Sequence, residues 1–243
     1  MNGSVAGRPV PADYEMKPAL VNADPEGMMN SLRSLPTLSI AGDPEDLFGV
    51  NGILQNPFGP VDGSGVHNMN PFVQDRPVSI EWIDPQNGPE FQTGCGIRIN
   101  GGWSRHYIAT PKKSFTLLFR SEFGPRRLRF PLFPGSPLES FDRIVLKGIF
   151  SNAWPDAARP PEYLRDQFLR DTMLAMGQPS SRGTWAHVYL NGLYWGIYNP
   201  SERPDASFAA SHFGGNKEEY DAIKHAGLSR PGVAINDQSG RQR

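Results

Sequence analysis

Cysteine is almost missing from this chain of 243 residues. Cys95 stands alone, which excludes an intrachain disulfide and a zinc cluster built from thiolates, and leaves compartment unreadable from cysteine. The five histidines, His67, His106, His187, His212 and His225, show no metal-ligand spacing. Long apolar runs are missing too. No stretch approaches the roughly 18 residues of a membrane helix, and MNGSVAGRPVPADYEMKP lacks the apolar centre of a secretory signal. Charge of one sign is absent as well: Lys plus Arg is 24 against Asp plus Glu at 25. A net charge of −1 supplies no global field for nucleic acid or an anionic membrane, so anion binding requires a local site.

Glycine and proline are abundant, at 26 and 24 residues. That excess favours a loop-rich, β-containing fold over a helical bundle. The length permits one sizeable domain with a substantial core.

Residues 1 to 34 show no sustained period and are expected to be an irregular linker or the tail of an upstream element, with a short helix allowed near Met28 to Leu35. LPTLSIAG predicts a first strand. DPEDLFG predicts a one-turn helix begun by Asp43 and stopped by Gly49, and residues 49 to 75 predict a long loop. Five strand signals follow, VSIEWI, GCGIRI, KSFTLLF, RLRFPL and DRIVLKGI, divided by turn clusters, so a largely antiparallel sheet is expected.

PEYLRDQFLRDTMLAMG, residues 161 to 177, predicts the main helix, with Pro161 in its first turn and Gly177 just past its end. Leu164, Phe168, Leu169, Thr172, Met173, Ala175 and Met176 share one half of its wheel, and Asp166, Gln167, Arg170 and Asp171 the other. Arg165 falls within the apolar half. It must snorkel out, join a structural salt bridge or meet a phosphate. WAHVYL and LYWGIY are joined by Asn191-Gly192, a strong type I′ hairpin signal. A second helix is expected from Asp205 to Phe213, ending at Gly214.

Several residues can do chemistry, each with a plainer reading beside it. Gly101 and Gly102 let backbone amides approach an anion, with Ser104 adding a hydroxyl, yet the local pattern equally makes a hairpin corner. Lys112 and Lys113 open a strand, where one can turn inward to a phosphate, or both can guard an edge. Glu202 can bind a ligand amine or hydroxyl, or face a helix dipole. Trp185, Tyr189, Tyr194, Trp195 and Tyr198 can stack on a base or sugar, or pack across the hairpin. No nucleophile elbow is present, and Cys95 reads as core.

Taken in order, RPVSIEWID, GIRINGGWSR, PKKSFTLLFRSEFG, the LFP and FDRIVLKG pair, YLRDQFLRDTMLAMGQPSSR, VYLNGLYWGIYNPSERPD and FGGNKEEYDAIK resemble the CotH kinase family, named for a bacterial spore-coat protein. Its members look like distant relatives of protein kinases. The resemblance covers residues 35 to 226 and implies an α+β fold, a mostly antiparallel sheet with one main packed helix, like the N-terminal lobe and hinge of a kinase. It implies ATP with Mg²⁺, and transfer of the γ-phosphoryl group to Ser or Thr of a protein substrate. Gly101, Gly102 and Ser104 then correspond to a phosphate-covering loop, and Lys112, in preference to Lys113, to the phosphate-pairing lysine. Arg165 and Asp166 match the family's Arg-Asp pair, and Glu202 the acidic position near the hinge. Family members often read R-x-R-G-G where this chain has Arg98 followed by Asn100, one positive charge fewer. NPSERPD also replaces a more apolar approach to the glutamate.

The family continues into a second lobe with catalytic and metal-binding acidic segments. The chain is therefore expected to be the front part of such a protein, with residues 227 to 243 a polar tail, no catalytic or metal-ligating residue of its own, and nucleotide binding at most. The rival expectations are a non-catalytic surface module that binds carbohydrate or protein through the aromatic hairpin, and a pseudokinase. The resemblance also implies an exported or cell-envelope parent.

Overall fold

The computed structural model describes residues 3–5, 8–10, 16–49, 51–54, 75–101, 103–105, 112–148, 162–224 and 233–235. Seven strands carry the architecture: β1 (Thr37–Gly42), β2 (Arg76–Ile83), β3 (Phe91–Asn100), β4 (Ser114–Leu118), β5 (Arg143–Lys147), β6 (Ala186–Leu190) and β7 (Leu193–Ser201). Among the described residues five α-helices accompany them: α1 (Pro18–Ala23), α2 (Pro25–Leu32), α3 (Pro44–Phe48), α4 (Arg165–Ala175) and α5 (Ala206–Phe213). None is long and apolar enough to cross a membrane.

Alternation builds the strands. In β2, Val78, Ile80 and Trp82 are buried while Pro77, Ser79, Glu81 and Ile83 are exposed, the period of two that a half-buried strand requires. The inward residues of all seven strands, among them Ile40, Ile80, Ile97, Phe115, Leu146, Val188 and Tyr198, form one core. Of the expected strand RLRFPL, only Leu128–Arg129 is extended, and it makes a short ladder with Ser140–Phe141.

The expected α+β lobe with one packed helix is not what forms. The seven strands close into a barrel in the order β6-β7-β5-β4-β3-β2-β1, and β1 returns to β6. Every pairing is antiparallel except that closure, where Leu38 lies opposite Val188 and Ile40 opposite Leu190. Closure removes both sheet edges, which an open lobe would leave bare. The hairpin turn helps to seal it. Asn191 and Gly192 take the positive φ of the type I′ turn, at 48° and 80°. The Asn191 amide then accepts from Gly42 N at 2.8 Å and donates to Gly42 O at 2.9 Å, tying the turn to the end of β1.

The main helix is also reoriented. Leu164, Phe168, Leu169, Met173 and Met176 are exposed, Phe168 by 68%, whereas Arg170 is only 7% exposed. The seat on the barrel is polar, so Arg170, with Asp166 and Gln167 partly covered beside it, turns inward, while Asp171 and most of the apolar half stay exposed.

The terminal helices follow local signals. Asp24 caps α2 by accepting from Gly27 N at 2.8 Å, and His187 Nε2 donates to the Ser31 carbonyl at 3.0 Å. His187 Nδ1 then accepts from the Tyr194 hydroxyl at 2.9 Å. Asp205 caps α5 through Phe208 N at 3.1 Å, and Gly214, at φ 83°, ends it.

Candidate functional site

One end of the barrel collects several of the candidate residues. There β3 ends at Asn100 opposite Ser114, and Phe115 of β4 lies opposite Leu146 of β5. Lys113 is thereby brought beside Gly148, whose added Cβ would lie 2.9 Å from the Lys113 carbonyl. Lys112 and Lys113 thus stand beside the end of β5, where Lys147 turns its side chain to Asp166 of α4.

The loop after β3 is shaped by Gly101, at φ 118°, a conformation that side chains disfavour. A Cβ there would sit 2.1 Å from the Ser104 hydroxyl. Ser104 in turn offers its carbonyl to Lys113 Nζ at 3.5 Å. Gly101, Ser104 and Lys113 thus form one turn, while Gly102 lies outside the described residues.

Lys112 reaches across the mouth to β7. Its ammonium donates to the Ile197 carbonyl and sits 4.6 Å from the centre of the Tyr198 ring and 5.7 Å from that of Tyr163. Burial pushes both Lys112 and Lys113 down to about 8, because the charged form loses water.

Lys147 was not singled out from the sequence, although FDRIVLKG contains it. It donates to Asp166 Oδ2 at 2.7 Å, joining the end of β5 to the first turn of α4. Burial, and then the Arg170 charge, lower the Lys147 ammonium below its usual range. For Asp166, burial alone would raise the carboxyl, but the hydrogen bond and charge of Lys147, with those of Arg170, outweigh it and hold the group low. A strand ending in lysine ahead of a helix that begins with a carboxylate was the signal available.

The other expected residues are placed elsewhere. Arg98 is forked onto Asp75, at 2.5 and 2.6 Å, and Arg120 shares that carboxylate at 2.9 Å. Arg165 pairs with Glu162 on the surface of α4. Glu202, nearly buried at the end of β7, accepts from Arg182 N at 2.8 Å and from His212 Nε2 at 2.9 Å, so it clamps α5 to the barrel. The hairpin aromatics are used in packing: Tyr198 is fully buried against Phe115, Trp195 meets Phe48, and Tyr194 bonds His187.

This end of the barrel carries two lysines and a glycine turn, with the Lys147–Asp166 ion pair at the adjoining end of β5, groups of the kind that anion sites use. Among the described residues, no group of three or more His, Cys, Asp or Glu side chains is arranged to hold a metal ion. No curated protein matches the chain. A sequence model described as CotH kinase protein matches residues 97–241, more than half of the chain, from within β3 through the glycine turn, β4, β5, α4, the hairpin and α5. The chain belongs to the CotH kinase protein family, and a kinase-like function follows from that membership.

Proposed function

We propose that the barrel mouth holds the phosphates of ATP, and that the chain is the nucleotide-holding part of a kinase that transfers the γ-phosphoryl group to Ser or Thr of a protein. The observation that carries this reading is the Lys147–Asp166 pair at 2.7 Å beside the Lys112–Lys113 strand start. Protein kinases use a strand lysine ion-paired to a helix carboxylate to orient the nucleotide phosphates.

ATP, when bound, would supply the phosphoryl group, and Mg²⁺ would offset charge on its phosphates. Among the described residues no acidic cluster is arranged to hold that metal. The protein's part is positional. Lys112 and Lys113 face the phosphates with ammonium groups already stripped of much of their water. Gly101 allows the turn to lie close to an oxygen that a side chain would push away. Lys147, steered by Asp166, adds the third positive charge.

Calorimetric titration with Mg-ATP checks this reading. The intact chain is expected to bind, and Lys112→Ala to bind about tenfold more weakly, as for one lost charge-assisted contact. Equal affinity in the two proteins overturns the assignment of Lys112.

A further inference from the structure

Arg170 is the buried residue of α4, on a helix whose apolar side chains face outward. A guanidinium in that position is costly unless its donors are used. Here Nη2 donates to Asn199 Oδ1 and, at 2.9 Å, to Gln167 Oε1. Nη1 donates to the Ser181 carbonyl and Nε to the Asp166 carbonyl, both at 3.3 Å. Nη2 also lies 3.3 Å from the Asp166 carboxylate.

The receiving groups are themselves held. Asn199 Nδ2 donates to the Thr184 carbonyl at 2.7 Å and to Gln167 Oε1 at 3.0 Å. Asn199 lies opposite Lys147 in the β5–β7 register. Space for the fork comes from Gly183, where a Cβ would lie 2.6 Å from both Arg170 Nη1 and Gln167 Oε1. Arg170 thus touches the carboxylate that Lys147 pairs with, and also the residue facing Lys147 across the ladder.

We propose that Arg170 is the positioning residue of the Lys147–Asp166 pair, holding α4 so that Asp166 meets the strand lysine, with Asn199 as its anchor and Gly183 as its clearance. Its consequence for ATP rests on the reading of that pair given above. The positioning itself is a property of the free chain. Lysine cannot substitute, because a single ammonium lacks the planar fork that spans helix, loop and strand.

Two variants keep the positive charge and disturb only geometry: Arg170→Lys and Gly183→Ala. The readout is the rate at which an acetylating N-hydroxysuccinimide ester labels each lysine, followed by peptide mass spectrometry, with exposed Lys17 as internal control. In the parent chain Lys147 labels slowly because its amine is bonded to Asp166. Both variants are expected to speed labelling at Lys147 several-fold, leave Lys17 unchanged, and bind Mg-ATP about tenfold more weakly. A purely stabilising Arg170 would lower the melting temperature without a selective change at Lys147. Should Arg170→Lys fail to fold, Gly183→Ala, which keeps the arginine, decides alone. Labelling of Lys147 at the parental rate in the folded variants overturns the proposal. If the parent chain shows no affinity for Mg-ATP, the nucleotide reading fails, and the labelling comparison still decides the role of Arg170.

Discussion

Lys147 and Asp166, 19 positions apart, meet at 2.7 Å where the fifth barrel strand ends and α4 begins. The pair is partly open to water, with side-chain exposures of 29% and 45%, so its worth to stability is screened to about 1 kcal/mol or less. Lys147→Ala should therefore change the melting temperature by only a few degrees while weakening Mg-ATP binding about tenfold. A large loss of stability with unchanged affinity would make the pair architectural.

The two strand-start lysines set a pH dependence. Phosphate binding favours the ammonium form, so affinity is fully present below the free-chain value of about 8 and declines as pH rises above it. Stability of the unliganded chain moves the other way. Between about 8 and the model-compound value of 10.5 the unfolded chain binds more protons at these lysines, so their contribution to stability rises with pH. Binding isotherms and thermal melts across pH 7 to 10 check both signs together.

Gly101→Ala forces a side chain onto φ 118° and against the Ser104 hydroxyl. The expected cost is about 1–3 kcal/mol, with weaker Mg-ATP binding. Gly177→Ala, also at positive φ, serves as control because nothing lies within 4 Å of its added Cβ. It should lose stability without losing affinity.

The orientation of α4 is open to a pair of substitutions. Phe168→Ser, on the exposed face, should alter stability by no more than about 0.5 kcal/mol. Arg170→Ala strands the partners of a buried guanidinium and should cost about 1–3 kcal/mol. Denaturant melts giving the reverse order would place the apolar face inward.

Closure of the barrel makes its own demand. Ile40 is fully buried opposite Leu190 in the one parallel pairing, so Ile40→Ala should cost about 2–5 kcal/mol, as much as Leu146→Ala in the middle of the sheet. A near-neutral Ile40→Ala would mean that β1 lies outside the core.

Local chemistry made the elements legible. The alternation in RPVSIEWI, the Asn191-Gly192 turn, and the Asp205 and Gly214 ends of α5 all stand where local rules place them. Closure was not legible, because the pairing of Ile40 with Leu190 joins segments distant in sequence and leaves no local mark. The helix orientation was hidden for a related reason. An apolar stripe ordinarily faces the core, and only the fold reveals that Asn199, Ser181 and Gly183 build a polar seat for Arg170. The position of Lys112 and Lys113 before a strand allowed a phosphate contact or a guarded edge, and only the family resemblance singled out Lys112, whereas Lys147 became visible only when β5 and α4 were seen to meet.

The most direct test uses an acyl-phosphate derivative of ATP, which transfers its acyl group to an amine lying at the bound phosphates while the nucleotide departs. Labelling is predicted at Lys112, Lys113 or Lys147, suppressed by excess Mg-ATP and reduced in Gly101→Ala. Labelling confined to surface lysines such as Lys17, indifferent to competing ATP, would contradict a nucleotide site at the barrel mouth.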